Sequence, residues 1–399
     1  MHKELMAAAL LCLAEGCATA GGENAGAGVP ATSAIQIGPF SAREAAHHQG
    51  WIQTQLDQAA GTSRVFVFAP GEYVLSDPQG VRVPDGATLI LDGAAFVFAE
   101  AMDADGQAFL LDNVSNVSLC GGEIRGRRDA WDPGVNIAGV RAYGSGQNLR
   151  ISGLRCTDLS SNAVGVFGES DEAPFRNVTL SQIEAVNCCN FYGDYLQPNV
   201  GPAPGSDRKD QGGVAFYFVD GWLVDGCRFE KSQSDGTHFF HAHNGRFANS
   251  VVARSQMGGY FLEGCRQVIA SGNLVLGNGS RGVTIERDSR CCTLVNNIVE
   301  GSGREGLWAP DVAGIIVASN IFRENGRKDD GERDCEIRLD DTDGYATHTR
   351  EIRIEGNVFY TSEHQTAAIY LGQGVEPVPV DANTFSGPAP ACAVAPGTP

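Results

Sequence analysis

Beyond about residue 60 the chain carries its apolar residues in short alternations, and no amphipathic run of helical length appears. The alternations recur at a fixed interval. Gly213, Gly236, Gly259, Gly282 and Gly306 lie 23, 23, 23 and 24 residues apart, and each opens one run: GVAFYF, GTHFFH, GYFLEG, GVTIER and GLWAPD. Ala163 (AVGVFG) and Gly139 (GVRAYG) extend the series backwards, 24 residues apart. The step from 163 to 213 is 50, about two periods, and contains a Pro/Gly-rich excursion over 188–212. A second series runs in parallel: Asn273, Asn297, Asn320, Asn357 and Asn383 each stand two residues before an apolar residue. Stacked at one position in every repeat, their amides can pair along the stack.

Each repeat holds two or three short strands and turns. One such repeat cannot bury its apolar face alone, but a stack can. Helical repeats are excluded by run length, and the LxxLxL core of leucine-rich repeats is absent. The period points to a parallel β-helix. Within each run the phase follows from strand alternation. Counting from the ladder glycine, positions one (Val140, Val164, Val214, Thr237, Tyr260, Val283, Leu307) and three (Ala142, Val166, Phe216, Phe239, Leu262, Ile285, Ala309) face inward. Ile337, Leu339, Ile369 and Leu371 continue them. Positions two and four face outward, and there they carry Tyr143, Phe167, Tyr217, Phe240, Phe261, Trp308 and Tyr370, broken by Arg141, His238, Glu263, Glu286, Arg338 and Asp340. A continuous stripe of exposed aromatics is expected to be a binding surface.

Ahead of the repeats, Ser41 and Glu44 form a capping box, and Ile52, Leu56 and Ala59 mark one face of a helix that would cover the open end of the stack. VFVF (65–68) and APGEYVL (69–75) follow. With this entry segment and the period, roughly residues 40 to 387 resemble the right-handed parallel β-helix proteins of the pectate-lyase-like superfamily. The resemblance implies an all-β fold, a single-stranded right-handed parallel β-helix with an N-terminal capping α-helix. It implies action on polysaccharides, by lyases or hydrolases. The polygalacturonase pattern is not met: SDG at Asp235 matches only its first element, Asp340-Asp341 lies coils away, and GHG and R-x-K are missing. WDPG (131–134) lacks the DPH element of β-helix epimerases.

Composition refines this. The net charge is -19, from 29 Lys+Arg against 48 Asp+Glu, which disfavours nucleic acid and, unless a cation or a local Arg cluster intervenes, an acidic glycan. Lys3, the apolar stretch 6–14 and Ala18-Thr19-Ala20 read as an export signal over 1–20, with a lipid anchor through Cys17 as the alternative. A linker and entry strand are expected over 21–40, the β-helix over 41–387 in about ten to twelve coils with further loops at 326–350, and a disordered tail over 388–399. The ten cysteines after the signal are expected to be buried side chains or structural bridges. A polysaccharide or oligosaccharide is the expected partner, and the protein is expected to be a monomer with no membrane span.

For chemistry, Glu263 and Glu286 share a column on adjacent coils, so their carboxylates are expected about 5 Å apart. That spacing suits a nucleophile and acid/base pair of a retaining glycosidase; two splayed Glu bridged by Arg287 is the plain alternative. His238, one coil earlier, and Asp235, at the groove edge, are the expected assistants. Tyr143, Phe167, Tyr217, Phe240, Phe261, Trp308, Arg338, Asp340 and Tyr370 would hold sugar. Hydrolysis is preferred narrowly over elimination from a uronate, and a non-catalytic glycan-binding protein is the third reading. No metal or cofactor is required; a Ca²⁺ ion between Glu263, Glu286 and Asp311 is conceivable. Alternation sends His238 and His241 to opposite sides, which disfavours a metal held by His238, His241 and His243 together.

Overall fold

A computed structural model describes residues 34–59, 65–132, 134–190, 211–328, 334–342 and 344–394. The expected signal, most of the linker, most of the 188–212 excursion and the last five residues lie outside the described residues. No described helix is long and apolar enough to cross a membrane.

The short strands of the sequence stack into parallel columns, and every pairing between named strands is parallel. One column runs from Val81–Arg82 through the ladder strands to Cys392–Val394. A second runs from Ile35–Ile37 to Arg353–Glu355. The third is a separate 12-stranded sheet from Gly71–Leu75 to Thr384–Ser386. The first two columns merge into one 22-stranded sheet because Val214–Asp225 and Thr237–Ala248 turn the corner between them unbroken. At that corner Phe218 and His241 take left-handed backbone, φ 52° and 49°.

The ladder register is the expected one. Val214 pairs with Thr237, Tyr260 with Val283, Val283 with Leu307 and Leu307 with Ile337. Positions one and three are buried at every rung and form the continuous core. The ladder glycines are there for close approach: a Cβ on Gly236 would stand 2.1 Å from Val252 Cγ1, and one on Gly282 2.5 Å from Val299 Cγ1. The asparagine series pairs as expected. Each Oδ1 accepts both the backbone and the side-chain N–H of the asparagine one coil earlier, from Asn273–Asn297 through Asn357–Asn383, at 2.8–3.0 Å. Each Nδ2 also donates to a strand carbonyl, such as Asn320 to Leu294 at 2.8 Å.

Ser41 Oγ accepts the Arg43 N–H, but the segment it caps begins as 3₁₀ turns (Ala42–His47) before the α-helix His48–Ala59. Ile52, Leu56 and Ala59 are buried against the core. The helix also supplies hydrogen bonds where a preceding coil is missing. The Gln49 amide accepts from Ser76 and Asp77 N–H and donates to the Asp77 and Gly80 carbonyls. Gln53 does the same to both backbone groups of Arg82. An amide side chain thus stands in for a peptide at the otherwise bare edge. At the other end the expected tail is a correction: Cys392–Val394 pairs with Ile369–Leu371 and adds a rung. The ten described cysteines are all free thiols, most of them buried.

Candidate functional site on the outer face of the ladder sheet

Positions two and four do project away from the core, yet the stripe they form is not the exposed surface expected from the alternation. Phe167, Tyr217 and Ala215 are buried and form a small second hydrophobic cluster, with Tyr143, Phe218 and Phe240 packed against it. Rings stacked rung upon rung shield one another: Tyr143–Phe167 centroids are 5.3 Å apart and Tyr217–Phe240 5.2 Å. At the far end Tyr370 is also buried. Arg338 and Asp340 bind each other at 2.6 Å, and the Trp308 Nε1–H donates to Asp340 at 2.8 Å. These residues build the wall of the site rather than a flat platform for sugar.

The opening lies between these two blocks. A cavity of about 320 Å³ is lined by Asp235, Phe261, Glu286 and Trp308 from the expected set, together with Arg281, Arg287, Arg304 and Lys328. The Arg281 guanidinium lies 3.8 Å over the Trp308 ring, a cation–π contact. Its Nε also pairs at 3.2 Å with the buried Glu305, which Arg338 shares at 3.1 Å. In a chain of net charge -19, four cations against the two carboxylates of Asp235 and Glu286 give this cavity lining a local excess of positive charge.

Behind the cavity wall runs an alternating line of acids and bases. Asp235 Oδ1 accepts the Gly258 N–H at 2.7 Å, and its Oδ2 is 3.6 Å from His238 Nδ1. His238 is fully buried, clamped between the rings of Tyr217 and Phe261 at 5.6 and 4.5 Å, nearly parallel to both. Its Nε2 is 3.9 Å from Glu263. Glu263 and Glu286 are register partners, as expected, and Arg287 binds both, at 2.7 and 3.1 Å. Burial lowers the Arg287 guanidinium, and the two carboxylates more than reverse this, holding it above its ordinary value. Of the four expected catalytic residues, the structure thus brings Asp235 and Glu286 to the cavity and sets His238 and Glu263 one layer behind. Asp311, the third ligand of the conceivable Ca²⁺ site, is instead buried and accepts both the N–H and hydroxyl of Thr342. Burial raises its carboxyl above the usual range.

Arg281, Arg304 and Lys328 were not singled out by strand phase, because they sit outside the strands. For Arg281 the signal was the turn entering each ladder strand, since Asp235, Gly258, Arg281 and Glu305 each stand one residue before a ladder glycine; Arg304 and Lys328 carry no such mark.

A family model described as "Right handed beta helix region" matches residues 212–332. Solved structures agree over most of the chain. The chain is a right-handed parallel β-helix protein. This β-helix superposes on the A-module of the Azotobacter vinelandii mannuronan C-5 epimerase AlgE4 with TM-score 0.63 and 16% identity, covering 87% of this chain and 95% of that one. PfbA, a surface adhesin of Streptococcus pneumoniae, matches with TM-score 0.64 and 12% identity over 91% and 93%. A tailspike protein of E. coli bacteriophage HK620, in complex with a pentasaccharide, matches with TM-score 0.54 and 14% identity over 93% and 62%. No curated protein matches the sequence of this β-helix protein. At these identities the likeness is one of fold.

Proposed function

We propose that this is an exported carbohydrate-active protein that binds an acidic polysaccharide across the ladder sheet and cleaves it at the cavity between Asp235 and Trp308. The observation that carries the reading is the ring of Arg281, Arg287, Arg304 and Lys328 around a cavity whose wall holds Phe261, Trp308 and the carboxylates of Asp235 and Glu286. It supplies the local Arg cluster without which the acidic chain would repel such a glycan. Two solved β-helices of this fold have carbohydrate partners in keeping with the reading: one is a mannuronan epimerase and one holds a pentasaccharide. Elimination suits the geometry best. The cations neutralise the uronate carboxylate, which acidifies the neighbouring C5 proton; the C5–H electron pair forms the C4–C5 double bond as the C4–O bond breaks, the leaving oxygen becomes a hydroxyl with a proton from solvent, and a cavity carboxylate takes the C5 proton. Asp235, oriented by the Gly258 N–H with His238 behind it, and Glu286, held by Arg287, are the two groups placed to do so.

Hydrolysis is the second reading, and its observation is the Glu263–Glu286 register pair. The geometry weighs against it, since Glu263 does not line the cavity and Arg287 binds both carboxylates instead of leaving them to flank a glycosidic bond. The test is product analysis on a panel of neutral and uronate-containing polysaccharides. New ultraviolet absorbance from an unsaturated sugar, abolished in Glu286→Gln or Asp235→Asn, is the expected result. Reducing ends without that absorbance would replace elimination by hydrolysis. Retention on an acidic-glycan column with no product from any substrate would leave a binding protein. Action confined to neutral glycans would overturn the role given to the cations.

A further inference from the structure

His241 and His243 follow the buried His238, but the corner at His241 turns them away from it and towards Asp171. Asp171 belongs to the loop that joins the ladder strand Val164–Phe167 to Phe175–Ser181, two coils before theirs. It reaches past the intervening coil. One of its carboxylate oxygens meets His241 Nδ1 at 2.9 Å and the other meets His243 Nε2 at 3.1 Å. All three candidate ligand atoms lie within 4.8 Å of one another, and they are the described residues that do so in a group of three. We propose that Asp171, His241 and His243 form a site for a borderline divalent transition-metal ion, with Zn²⁺ as the best match.

Two imidazoles and one carboxylate are the donor set that such a cation prefers, whereas Ca²⁺ and Mg²⁺ prefer oxygen alone. The spacing fits. Atoms that touch one another through a shared proton at about 3 Å are also about as far apart as neighbouring ligands around an ion with bonds of ~2 Å. Local structure holds the set in place. His241 takes left-handed backbone, which directs its ring to the outer side of the corner, and Phe218 and Phe240 pack against that ring at 5.3 and 4.5 Å. Gly264 leaves the room: a Cβ there would stand 2.8 Å from the His241 ring, and its φ of +63° disfavours any side chain. The three side chains are 16–33% exposed, so solvent can reach the remaining coordination positions. His243 Nδ1 accepts the exposed Arg266 N–H at 3.2 Å, so without metal the ring proton sits on Nε2 and faces Asp171. The cation takes that position, the proton transfers through solvent to Nδ1, and the Arg266 N–H turns to water. The site is distinct from the cavity, and none of its residues lines it.

The experiment is isothermal titration of the full chain with Zn²⁺ after removal of metal, repeated with Asp171→Asn and His243→Gln, and with His348→Gln as the control for the separate Asp341–His348 pair. One Zn²⁺ per chain is expected, with affinity lowered at least tenfold by either site substitution and unchanged in the control. Co²⁺ supplies a readout independent of affinity: a visible absorption band of nitrogen-ligated cobalt, absent from Asp171→Asn, with far-ultraviolet circular dichroism showing that both variants keep the fold. No Zn²⁺ uptake, or uptake and a cobalt band that survive both site substitutions, would overturn the assignment. Either result leaves the glycan reading untouched, because that rests on other residues.

Discussion

Replacing Asn320 with Ala strikes the middle of the asparagine stack. Four hydrogen bonds end at its side chain: Oδ1 accepts the Asn297 N–H and Nδ2–H, and Nδ2 donates to Leu294 O and Asn357 Oδ1. Two of the four partners keep other bonds. Asn297 Nδ2 also reaches the Ala270 and Val295 carbonyls, and Asn357 Oδ1 still accepts the Asn320 backbone N–H. Of the other two, the Leu294 carbonyl keeps its place in the parallel ladder against Ile316–Ala318, whereas the Asn297 N–H loses the partner shown for it in a place that water does not reach, since Asn320 is 1% exposed. A buried polar group left unpaired costs about 1–3 kcal/mol, so with the lost bonds Asn320→Ala should cost about 2–3 kcal/mol. Asn383 makes an equivalent set of four contacts at the half-buried end of the same stack. There water can replace the lost partner, and Asn383→Ala should cost only about 1 kcal/mol. Urea denaturation followed by circular dichroism, with the midpoint shift converted through the measured slope, gives both numbers. Equal losses in the two variants, or a loss below about 1 kcal/mol for Asn320→Ala, would refute the claim that burial of the stack, not the count of its bonds, sets its worth.

Gly236→Ala is expected to destabilise by about 1–3 kcal/mol through overpacking, because its Cβ would meet Val252 Cγ1 at 2.1 Å and the Gly259 carbonyl oxygen at 2.8 Å; a melting temperature equal to the parent's would show that the ladder tolerates a methyl group. Glu336 is fully buried and accepts from Asn325 and Gln365, and burial pushes its carboxyl up to about 7. Its stability contribution is therefore complete below the ordinary carboxylate range and lost as the pH rises through about 7. Against Glu336→Gln, the parent should lose about 3 kcal/mol between pH 4.5 and 8, and a gap between the two stability curves that does not change with pH would contradict this. Arg304→Met is expected to raise KM for a uronate polymer at least tenfold while leaving the melting temperature unchanged, and equal effects on neutral and acidic glycans would argue against a role in charge recognition.

The fold was legible because its determinants repeat. A glycine that admits only hydrogen where Val252 approaches, and an asparagine whose amide must find the next, leave a mark every 23 or 24 residues, so strand phase could be read rung by rung. The site was legible only in part. Phase placed Glu263 beside Glu286 and turned His238 outward, but outward did not mean exposed: Tyr217 and Phe261 close over His238 because aromatic residues happen to fall on neighbouring rungs. Arg281, Arg304 and Lys328 lie in turns, where no alternation constrains them. Asp171 was invisible as a partner for His241, since a loop that skips a coil makes contacts 70 residues apart that no period encodes.

The interval between bonded partners has a consequence for how the molecule comes into being. Where coils follow one another without excursions, strand hydrogen bonds join residues one coil apart, as in the pairs Val252–Val275 and Val275–Val299. A newly made segment there finds its template in the turn just laid down, and growth by accretion never has to close a long loop. The amide pairs that Gln49 and Gln53 present to the first rungs would then act as a mould for the earliest turns, and shortening the chain from its C-terminal end should remove turns singly, leaving the remainder able to stand.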